Sequence, residues 1–225
     1  MQRSTRLFCA LALAGCSPRP AGQPGPPAAG ADSTATVSSM PAAPPDWRIV
    51  PGRSAGPVTA DISEADLRYR YGDDLDSARI QIGEGETMPG AVLFGGDSLR
   101  RAEIIWRDTV NRRRPARLIL RGEKSEWRTD EGISLGTTLH ELERLNGRAF
   151  TLAGFGWDYG GVITDWAGGT LGEKLPGTML YLDPGPRQYE SAEYSQVLGD
   201  RDYSSASAPM QRLDPRVAQI FMDFE

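Results

Sequence analysis

Residues 127–147, WRTDEGISLGTTLHELERLNG, decide the fold, because an altered copy begins at residue 47 as WRIVPGRSAGPVTADISEADLRYRYG. A Trp-Arg pair, two glycines and a serine recur at one constant offset, from Trp47 to Trp127, which is 127 − 47 = 80 residues. Farther on, Gly72 matches Gly147 at an offset of 147 − 72 = 75, because the first copy carries 80 − 75 = 5 more residues before its helix. The repetition predicts two halves of similar local design.

Each copy is predicted to end in a short helix. Residues 63–66, SEAD, and 138–141, TLHE, have the spacing of a capping box, in which a hydroxyl accepts a free backbone N–H and an acid accepts the N–H of the cap. Gly72 and Gly147 supply the left-handed residue that ends each helix. Two turns of helix are marginal alone, so each helix needs a sheet to pack on.

Segments with alternating apolar residues between Gly and Pro breaks follow each helix, as is typical of strands. In the first half they are residues 78–82, 91–94, 101–107 and 117–121. In the second half they are residues 150–155, 159–166, 178–182 and 217–224. We therefore predict one α+β domain of two tandem repeats, 47–121 and 127–225, each a short helix packed on an antiparallel β-meander. Residues 183–215 are predicted to be a polar loop.

The repeated order of G-x-x-x-G, helix, Tyr-Gly or Asn-Gly and strands resembles tandem helix-plus-meander proteins of the bacterial envelope. The beta-lactamase-inhibitor-like fold and the SmpA/OmlA-like lipoproteins are the families that it resembles, over residues 47–225. The chain departs from the inhibitors in lacking their cysteines and in having one clear helix per half. The resemblance therefore implies an envelope lipoprotein of related build rather than an inhibitor.

The amino terminus has the features of a secretion signal. Arg3 and Arg6 precede an apolar run, residues 7–14, that is too short to span a bilayer. The run ends in LAGC, which resembles the lipobox of bacterial lipoproteins. The resemblance implies that residues 1–15 are removed and that Cys16 carries a lipid, whereas the alternative is a chance cysteine in an Ala/Leu-rich leader. Ser17 is similar to the outer-membrane sorting signal.

Residues 16–46 are predicted to be a disordered tether. From residue 17 they hold 8 of the 17 prolines and too few large apolar side chains to offset the entropy of ordering. A coil of that length spans about 30 Å. Residues 47–225 are long enough to form a single domain with its own core.

Composition excludes several function classes. Cys9 leaves with the signal and Cys16 is lipidated, so disulfides, thiolate metal sites and a cysteine nucleophile are not expected. Without residues 1–15 the charge becomes 23 − 30 = −7, because two of the 25 basic residues are lost and all 30 acids remain. This balance disfavours nucleic acid as a partner.

The motif G-x-S-x-G at residues 132–136 is that of a serine hydrolase and stands before a helix. A serine nucleophile needs a histidine to accept its proton, and the single histidine, His140, follows only six residues after Ser134. Because Ser54 occupies the same motif in the first copy, the serine is interpreted as a turn residue that bonds to neighbouring backbone. His140 is expected to be a solvated residue rather than a metal ligand.

Other polar candidates have an ordinary interpretation and a functional one. Asp158 and Asp165 flank a glycine-rich turn, but their spacing matches no calcium loop, so no metal and no cofactor is expected. Residues 111–114, NRRR, are predicted to form a solvated hairpin tip, with an arginine cluster for lipid phosphate as the alternative.

An aromatic row is the most distinctive local feature. Phe155, Trp157 and Tyr159 alternate with small or polar residues, so an extended backbone would place all three on one face. In one interpretation this face is core. In the other, Trp157 and Tyr159, with Asp158 and Trp166, are an exposed platform for a sugar ring or an apolar side chain, while Phe155 points inward.

The leading functional hypothesis is a lipid-anchored protein of the bacterial envelope, in the outer membrane, whose domain binds a protein or an envelope polymer without catalysis. Its partners would be the membrane, through the lipid, and that protein or polymer. The rival hypothesis is a carbohydrate-active hydrolase that works through a pair of carboxylates. A third is an assembly component with no soluble ligand.

Overall fold

The computed structural model of the protein describes residues 46–83 and 85–225. The expected signal peptide, the lipid-bearing Cys16 and the tether up to residue 45 lie outside the described residues. No helix within the described ranges is long and apolar enough to cross a membrane.

The described chain alternates short helices with strands. The strands are β1 (Arg48–Val50), β2 (Ser54–Ala55), β3 (Val58–Thr59), β4 (Leu75–Gly83), β5 (Glu86–Leu93), β6 (Ala102–Asp108), β7 (Arg113–Arg121), β8 (Arg128–Thr129), β9 (Thr151–Ala153), β10 (Ile163–Asp165), β11 (Thr178–Asp183), β12 (Asp202–Ser204) and β13 (Arg216–Asp223). The helices are α1 (Glu64–Tyr71), α2 (Leu139–Asn146), α3 (Thr170–Lys174), α4 (Ala192–Ser195) and α5 (Ala208–Leu213), with 3-10 turns at Gly72–Asp74 and Pro186–Gln188.

A six-stranded antiparallel sheet organises the molecule, in the order β11, β13, β7, β6, β5, β4. Strands β4 to β7 follow one another as a meander, and β13 joins them by pairing with β7, with Phe221 opposite Ile119. Because side chains alternate along a strand, Leu118 and Leu120 point into the main core and Ile119 points to the other face. The outer face therefore carries a second, smaller apolar cluster.

The main core lies between the inner face of this sheet, the helices and the two small sheets. Leu67 of α1 and Leu142 of α2 are fully buried in it, as is Trp106 of β6 at 1% exposure. Each buried leucine contributes roughly 2 kcal/mol through the apolar area that it removes from water. The helices are therefore held by packing, as their short length requires.

Both predicted capping boxes are confirmed, at Ser63 and at Thr138. Each cap also forms a backbone bridge to the first residue of a central strand, Ser63 to Arg113 of β7 and Thr138 to Arg216 of β13. Gly147 ends α2 in the left-handed conformation. The start of each helix is thus held at the first residue of a central strand of the main sheet.

The two copies of the Trp-Arg segment lie side by side. Strands β1 and β8 pair in parallel with Arg48 opposite Arg128, the same offset that the sequence shows. The rings of Trp47 and Trp127 pack edge to face with centroids 4.8 Å apart. The sequence match therefore corresponds to a direct contact between the copies.

The α+β class is confirmed, but the two tandem repeats are not. The second half has no meander of its own, because β9 pairs with β10 and with β12 in a separate three-stranded sheet and only β11 and β13 reach the main sheet. The glycines at 154, 156, 160 and 161 explain the loss of extended structure, and Gly156 turns the chain at φ +86°.

The prediction of a polar loop at residues 183–215 is wrong, since this segment contains α4, β12 and α5. Its apolar residues anchor it to the main core through Val197, Met210 and Leu213, which are at most 4% exposed. Burial of these few side chains is enough to order an otherwise polar stretch. We call residues 184–215 the insertion.

Candidate functional site

An open cleft of about 890 Å³ lies at the end of β7. Its walls are residues 121–124, the loop 132–137 of the G-x-S-x-G motif and the turn 183–186, and its floor is the start of β13. These segments meet because the amide of Gly136 donates to the Val217 carbonyl and that of Gly122 donates to the Ala218 carbonyl. Backbone hydrogen bonds to β13 therefore hold two of the loops that form the cleft.

Charges of both signs line this cleft. Lys124 and Arg216 are exposed, and within the described ranges neither forms a salt bridge. Two of the three acids are used by the fold, since Glu141 accepts the Thr138 amide at 2.9 Å and Asp183 accepts the Tyr189 hydroxyl at 2.9 Å, while the third, Glu123, is exposed. Lys124, Arg216 and Glu123 are thus open to a ligand, whereas Glu141 and Asp183 are held by the fold.

Tyr189 fastens the start of the insertion to the cleft wall. Burial, followed by the hydrogen bond to Asp183, raises the pKa of Tyr189 to about 12. The ring of Tyr194 lies between Tyr189 and Phe155, at centroid distances of 5.2 and 5.8 Å. A ladder of aromatic rings thus runs from the buried Phe155 toward the cleft.

A second cavity of about 230 Å³ lies on the outer face of the main sheet. Asp158 and Tyr159 form one side, and Tyr181 and Phe221 lie on the sheet. Its other wall consists of Arg121 and Gln219, which also line the large cleft. We call the two adjoining cavities the trough.

Arg121 lies between the two cavities of the trough and is held in place by several contacts. Its guanidinium donates to Glu103 at 3.2 Å, to the Gln81 carbonyl at 2.8 Å and to the side chain of Gln219. It also lies over the ring of Phe221, 5.1 Å from the centroid. Since these contacts immobilise the guanidinium, the width of the trough at this point is set before any ligand arrives.

The predicted aromatic row is only partly formed. Phe155 is buried at 3% exposure, as expected, while Trp157 and Tyr159 are 37% and 45% exposed. Because the chain turns at Gly156, the three rings do not share an extended face, and that expectation is wrong. Trp157 and Tyr159 still form an edge-to-face pair with centroids 5.5 Å apart at the trough.

Trp166 does not join this pair. Its ring packs on Phe150 with centroids 5.3 Å apart, and it lies against the main core rather than on the outer face. Of the four residues predicted for the platform, the structure therefore brings Trp157, Asp158 and Tyr159 to one place and leaves Trp166 elsewhere.

Ser134 lines the large cleft but is not activated. Its hydroxyl donates to the Leu135 carbonyl at 3.0 Å, which confirms the interpretation as a turn residue. The only histidine, His140, contacts Gln211 at 3.0 Å and Asp214 at 3.1 Å instead. The geometry supplies no base for a serine nucleophile.

Metal ligation finds no support in residues 46–83 and 85–225, where no three His, Cys, Asp or Glu side chains are grouped as ligands. Asp165 accepts the Ala167 amide at 2.8 Å, so it caps its own turn. Asp158 lies in the small cavity without Asp165.

The residues that sequence reasoning missed are Arg121, Lys124, Arg216 and Gln219. They come from the ends of two strands far apart in sequence, and none lies in a motif. The only local signal was that Arg117 and Arg121 share one face of β7 with Ile119. This pattern indicates an outer sheet face that carries long polar side chains.

Comparison with models of known protein families gave no match, and comparisons with characterised proteins and with solved structures gave none. The interpretation of the trough therefore rests on the geometry of its own residues.

Proposed function

We propose that the protein is a lipid-anchored, non-enzymatic binding module of the bacterial envelope that holds an envelope polymer, or an extended segment of a partner protein, along the trough. The observation that carries this proposal is the exposed Trp157–Tyr159 pair, of which Tyr159 lines a cavity that adjoins the large cleft at Arg121. Accessible aromatic rings dominate binding energy where they occur in pairs at a concavity.

A polymer suits the trough better than a compact small molecule. The large cleft alone has the volume of a complete ligand pocket. The second cavity continues it past Arg121. The aromatic end offers ring faces for a sugar or an apolar side chain, and the other end offers Lys124 and Arg216 for an anionic group. A chain with repeating units can occupy both ends at once.

The alternative, a hydrolase with two carboxylates, is less well supported. Such an enzyme needs one carboxyl that is protonated and one that is free to attack or to activate water. Glu141 accepts the backbone amide of Thr138 as part of the capping box. Asp183 accepts a tyrosine hydroxyl on its carboxylate. Glu141 and Asp183 thus have structural roles, and the two other acids that line the trough, Glu123 and Asp158, lie in different cavities.

Co-sedimentation of the protein with purified cell-wall material and with outer-membrane extract tests the binding role. We expect Trp157→Ala combined with Tyr159→Ala to weaken binding by tenfold or more, on the order of 1.4 kcal/mol, and to leave the melting transition nearly unchanged. Leu99→Ala is the control, because Leu99 is 41% exposed and lines neither cavity of the trough. Equal binding by the double variant and the control would remove the trough as the site.

The anchor is a separate proposal and rests on residues 13–16. Wild-type protein is expected in the detergent phase after phase separation and Cys16→Ser in the aqueous phase. Equal retention of both in detergent would overturn the lipidation of Cys16. Outer-membrane sorting, suggested by Ser17, is tested by fractionating the two membranes.

The repeat is also part of the proposal, as a duplication that has diverged. Its support is the matching pair of helix caps, each bridged to the start of a central strand. A further match is the irregular register between β6 and β7 at Ile105 and Trp106, which has a counterpart between β11 and β13 at Tyr181 and Leu182. A relative whose second half keeps the complete meander would support a duplication.

A further inference from the structure

The two most exposed large apolar side chains of the described chain lie near a group of arginines. Tyr69 of α1 is 93% exposed, and Val110 in the turn between β6 and β7 is 88% exposed. Arg70 follows Tyr69 in the helix, while Arg113 and Arg114 begin β7 shortly after Val110, and all three are exposed. We call this surface, formed by residues 68–70 and 110–114, the arginine corner.

Backbone contacts hold the two parts of the arginine corner together. The amide of Glu64, the first residue of α1, donates to the Arg112 carbonyl at 2.9 Å, and the amide of Arg114 donates to the Ile62 carbonyl at 3.0 Å. Hydrogen bonds from Ser63 are the main reason why the pKa of Asp66 lies below its usual value, and the charges of Arg70 and Arg113 act in the same direction. The helix and the hairpin therefore present one continuous surface.

The corner is positive although the protein is acidic. It carries five arginines, namely Arg68, Arg70, Arg112, Arg113 and Arg114. Residues 63–71 and 108–114 also hold three acids, namely Glu64, Asp66 and Asp108, so these two segments sum to 5 − 3 = +2, and Asp61, Asp73 and Asp74 flank them. The whole chain has a formal net charge of −5. The arginine corner is thus positively charged on a chain whose net charge is negative.

The three acids within these two segments are already used by the fold. Asp66 accepts the amide and hydroxyl of its own cap, and Asp108 accepts the backbone and side-chain N–H groups of Asn111. Glu64 is only 7% exposed and takes the guanidinium of Arg112 at 2.8 Å. Of the described residues, none forms a salt bridge with Arg70, Arg113 or Arg114.

The backbone of the turn is strained at two of these arginines. Arg112 and Arg114 have φ of 50° and 53°, in the left-handed region. Glycine or asparagine adopts this region more easily, and an ordinary side chain there is strained. Arg112 compensates by pairing with the buried Glu64. Arg114 has no such internal partner in the described chain, so its guanidinium faces outward at a position that would suit asparagine better.

We propose that the arginine corner docks on the surface of a bilayer that contains anionic lipids. Guanidinium groups bind lipid phosphates through two parallel hydrogen bonds. The tyrosine ring and the valine are suited to the interfacial zone, where a side chain has one apolar and one hydrated side. The contact is shallow and peripheral, because two apolar side chains bury little area.

This docking gives the domain an orientation. Strand β7 runs from Arg113 at the corner to Arg121 at the trough, and eight steps of about 3.3 Å place the two roughly 26 Å apart. A domain that rests on the bilayer through the corner therefore holds its trough away from the lipid. The inference does not depend on what the trough binds.

Co-sedimentation with vesicles tests the proposal. The protein is the chain from residue 16 onward with Cys16→Ser, so that neither a leader nor a lipid contributes to binding. The vesicles are phosphatidylethanolamine with phosphatidylglycerol, compared with phosphatidylcholine alone. We expect binding to the anionic vesicles only, and weaker binding as salt rises.

Two double variants separate the corner from general charge. Arg113→Gln with Arg114→Gln is expected to weaken anionic-vesicle binding roughly thirtyfold, at about 1 kcal/mol per arginine. Arg144→Gln with Arg187→Gln removes the same charge from exposed positions elsewhere and is expected to retain binding within about twofold. Tyr69→Ser gives a smaller loss than the corner double variant, and circular dichroism confirms that each variant is folded.

Several results would overturn the proposal. Equal binding to both vesicle types, or equal losses in the two double variants, would show that the corner is not a membrane surface. A stronger inhibition by inorganic phosphate than by chloride at the same ionic strength would indicate a discrete phosphate site instead. Binding that survives in every corner variant would place the contact on another surface.

Discussion

Helices α1 and α2 are attached to the main sheet in the same way but have different neighbours. Each begins with a capping box whose N-cap bridges to the first residue of a central strand, β7 for α1 and β13 for α2. Each buries a leucine completely, Leu67 in α1 and Leu142 in α2. The cap and the buried leucine therefore do not determine what the outer face of each helix contacts.

The insertion makes the difference. It covers part of α2, where Gln211 of α5 contacts His140 at 3.0 Å and Glu143 at 3.0 Å. The first half has no such segment, and Tyr69 on α1 stays open to solvent. The same local design thus gives one helix an internal partner and leaves the other with an exposed, arginine-rich surface.

The largest expected effect tests whether both helices are held by packing. Leu67→Ala and Leu142→Ala should each lower the free energy of unfolding by about 2 to 5 kcal/mol, because both side chains are fully buried. Urea denaturation measures this, with Tyr69→Ala as the exposed control at less than about 0.5 kcal/mol. A small loss of stability in Leu67→Ala with a large one in Leu142→Ala would show that packing holds α2 but not α1.

The second prediction concerns Glu64, which has no acidic counterpart in α2. Burial alone would raise the pKa of Glu64, but the hydrogen bonds from Ser77, Arg112 and Arg68 outweigh burial and lower it below 4.5. The stabilisation is therefore present above about pH 4.5 and is lost as the pH falls through the lowered pKa. Glu64→Gln should cost about 1 to 3 kcal/mol at neutral pH.

The pH dependence of that cost provides the check. The difference between wild type and Glu64→Gln, measured by urea denaturation between pH 3 and 7, should shrink toward acid. Glu173→Gln is the control, because Glu173 is an exposed glutamate on α3. A difference that is constant with pH would contradict the ionised network of Glu64.

The third prediction sharpens the comparison of the caps. Ser63→Ala and Thr138→Ala should each destabilise the protein by about 1 kcal/mol, because each leaves a backbone N–H of the first turn without its acceptor. The two losses should add in the double variant, since the caps share no partner. Thermal unfolding measures all three, and strong non-additivity would mean that the two helices do not respond independently.

The smallest expected effect concerns the attachment of the insertion. The neutral hydroxyl of Tyr189 binds Asp183, so this contribution is complete below about pH 10 and is lost as the pH rises through the raised pKa of about 12. Tyr189→Phe should cost less than about 1 kcal/mol and should flatten the decline of stability above pH 10 relative to wild type. Identical alkaline profiles would show that this contact does not secure the insertion.

Much of the fold follows from local patterns. The caps at Ser63 and Thr138, the strands of the first half and the inward position of Phe155 were predictable, because capping chemistry and alternation act within a few residues. The separate sheet of β9, β10 and β12 was not. Its formation depends on residues of the insertion, such as Tyr203 opposite Leu152, that meet only in three dimensions.

The candidate site was predictable only at its aromatic end. Trp157 and Tyr159 stand out among glycines in the sequence, whereas Lys124, Arg216 and Arg121 look like ordinary surface cations. They become a site because β7 and β13 are neighbours in the main sheet. No spacing along the chain encodes that adjacency, since the strands are separated by the whole second helix and the insertion.

Hydrogen–deuterium exchange of the lipidated protein in native envelope vesicles, compared with the Cys16→Ser protein in buffer, tests the central claim most directly. We expect slower exchange at the arginine corner and in the cleft loops 121–124 and 132–137, and unchanged exchange in residues 142–146 of α2, which do not line the trough. Slower exchange confined to α2 and the insertion, with an unchanged trough, would contradict the assignment of the trough as the binding surface.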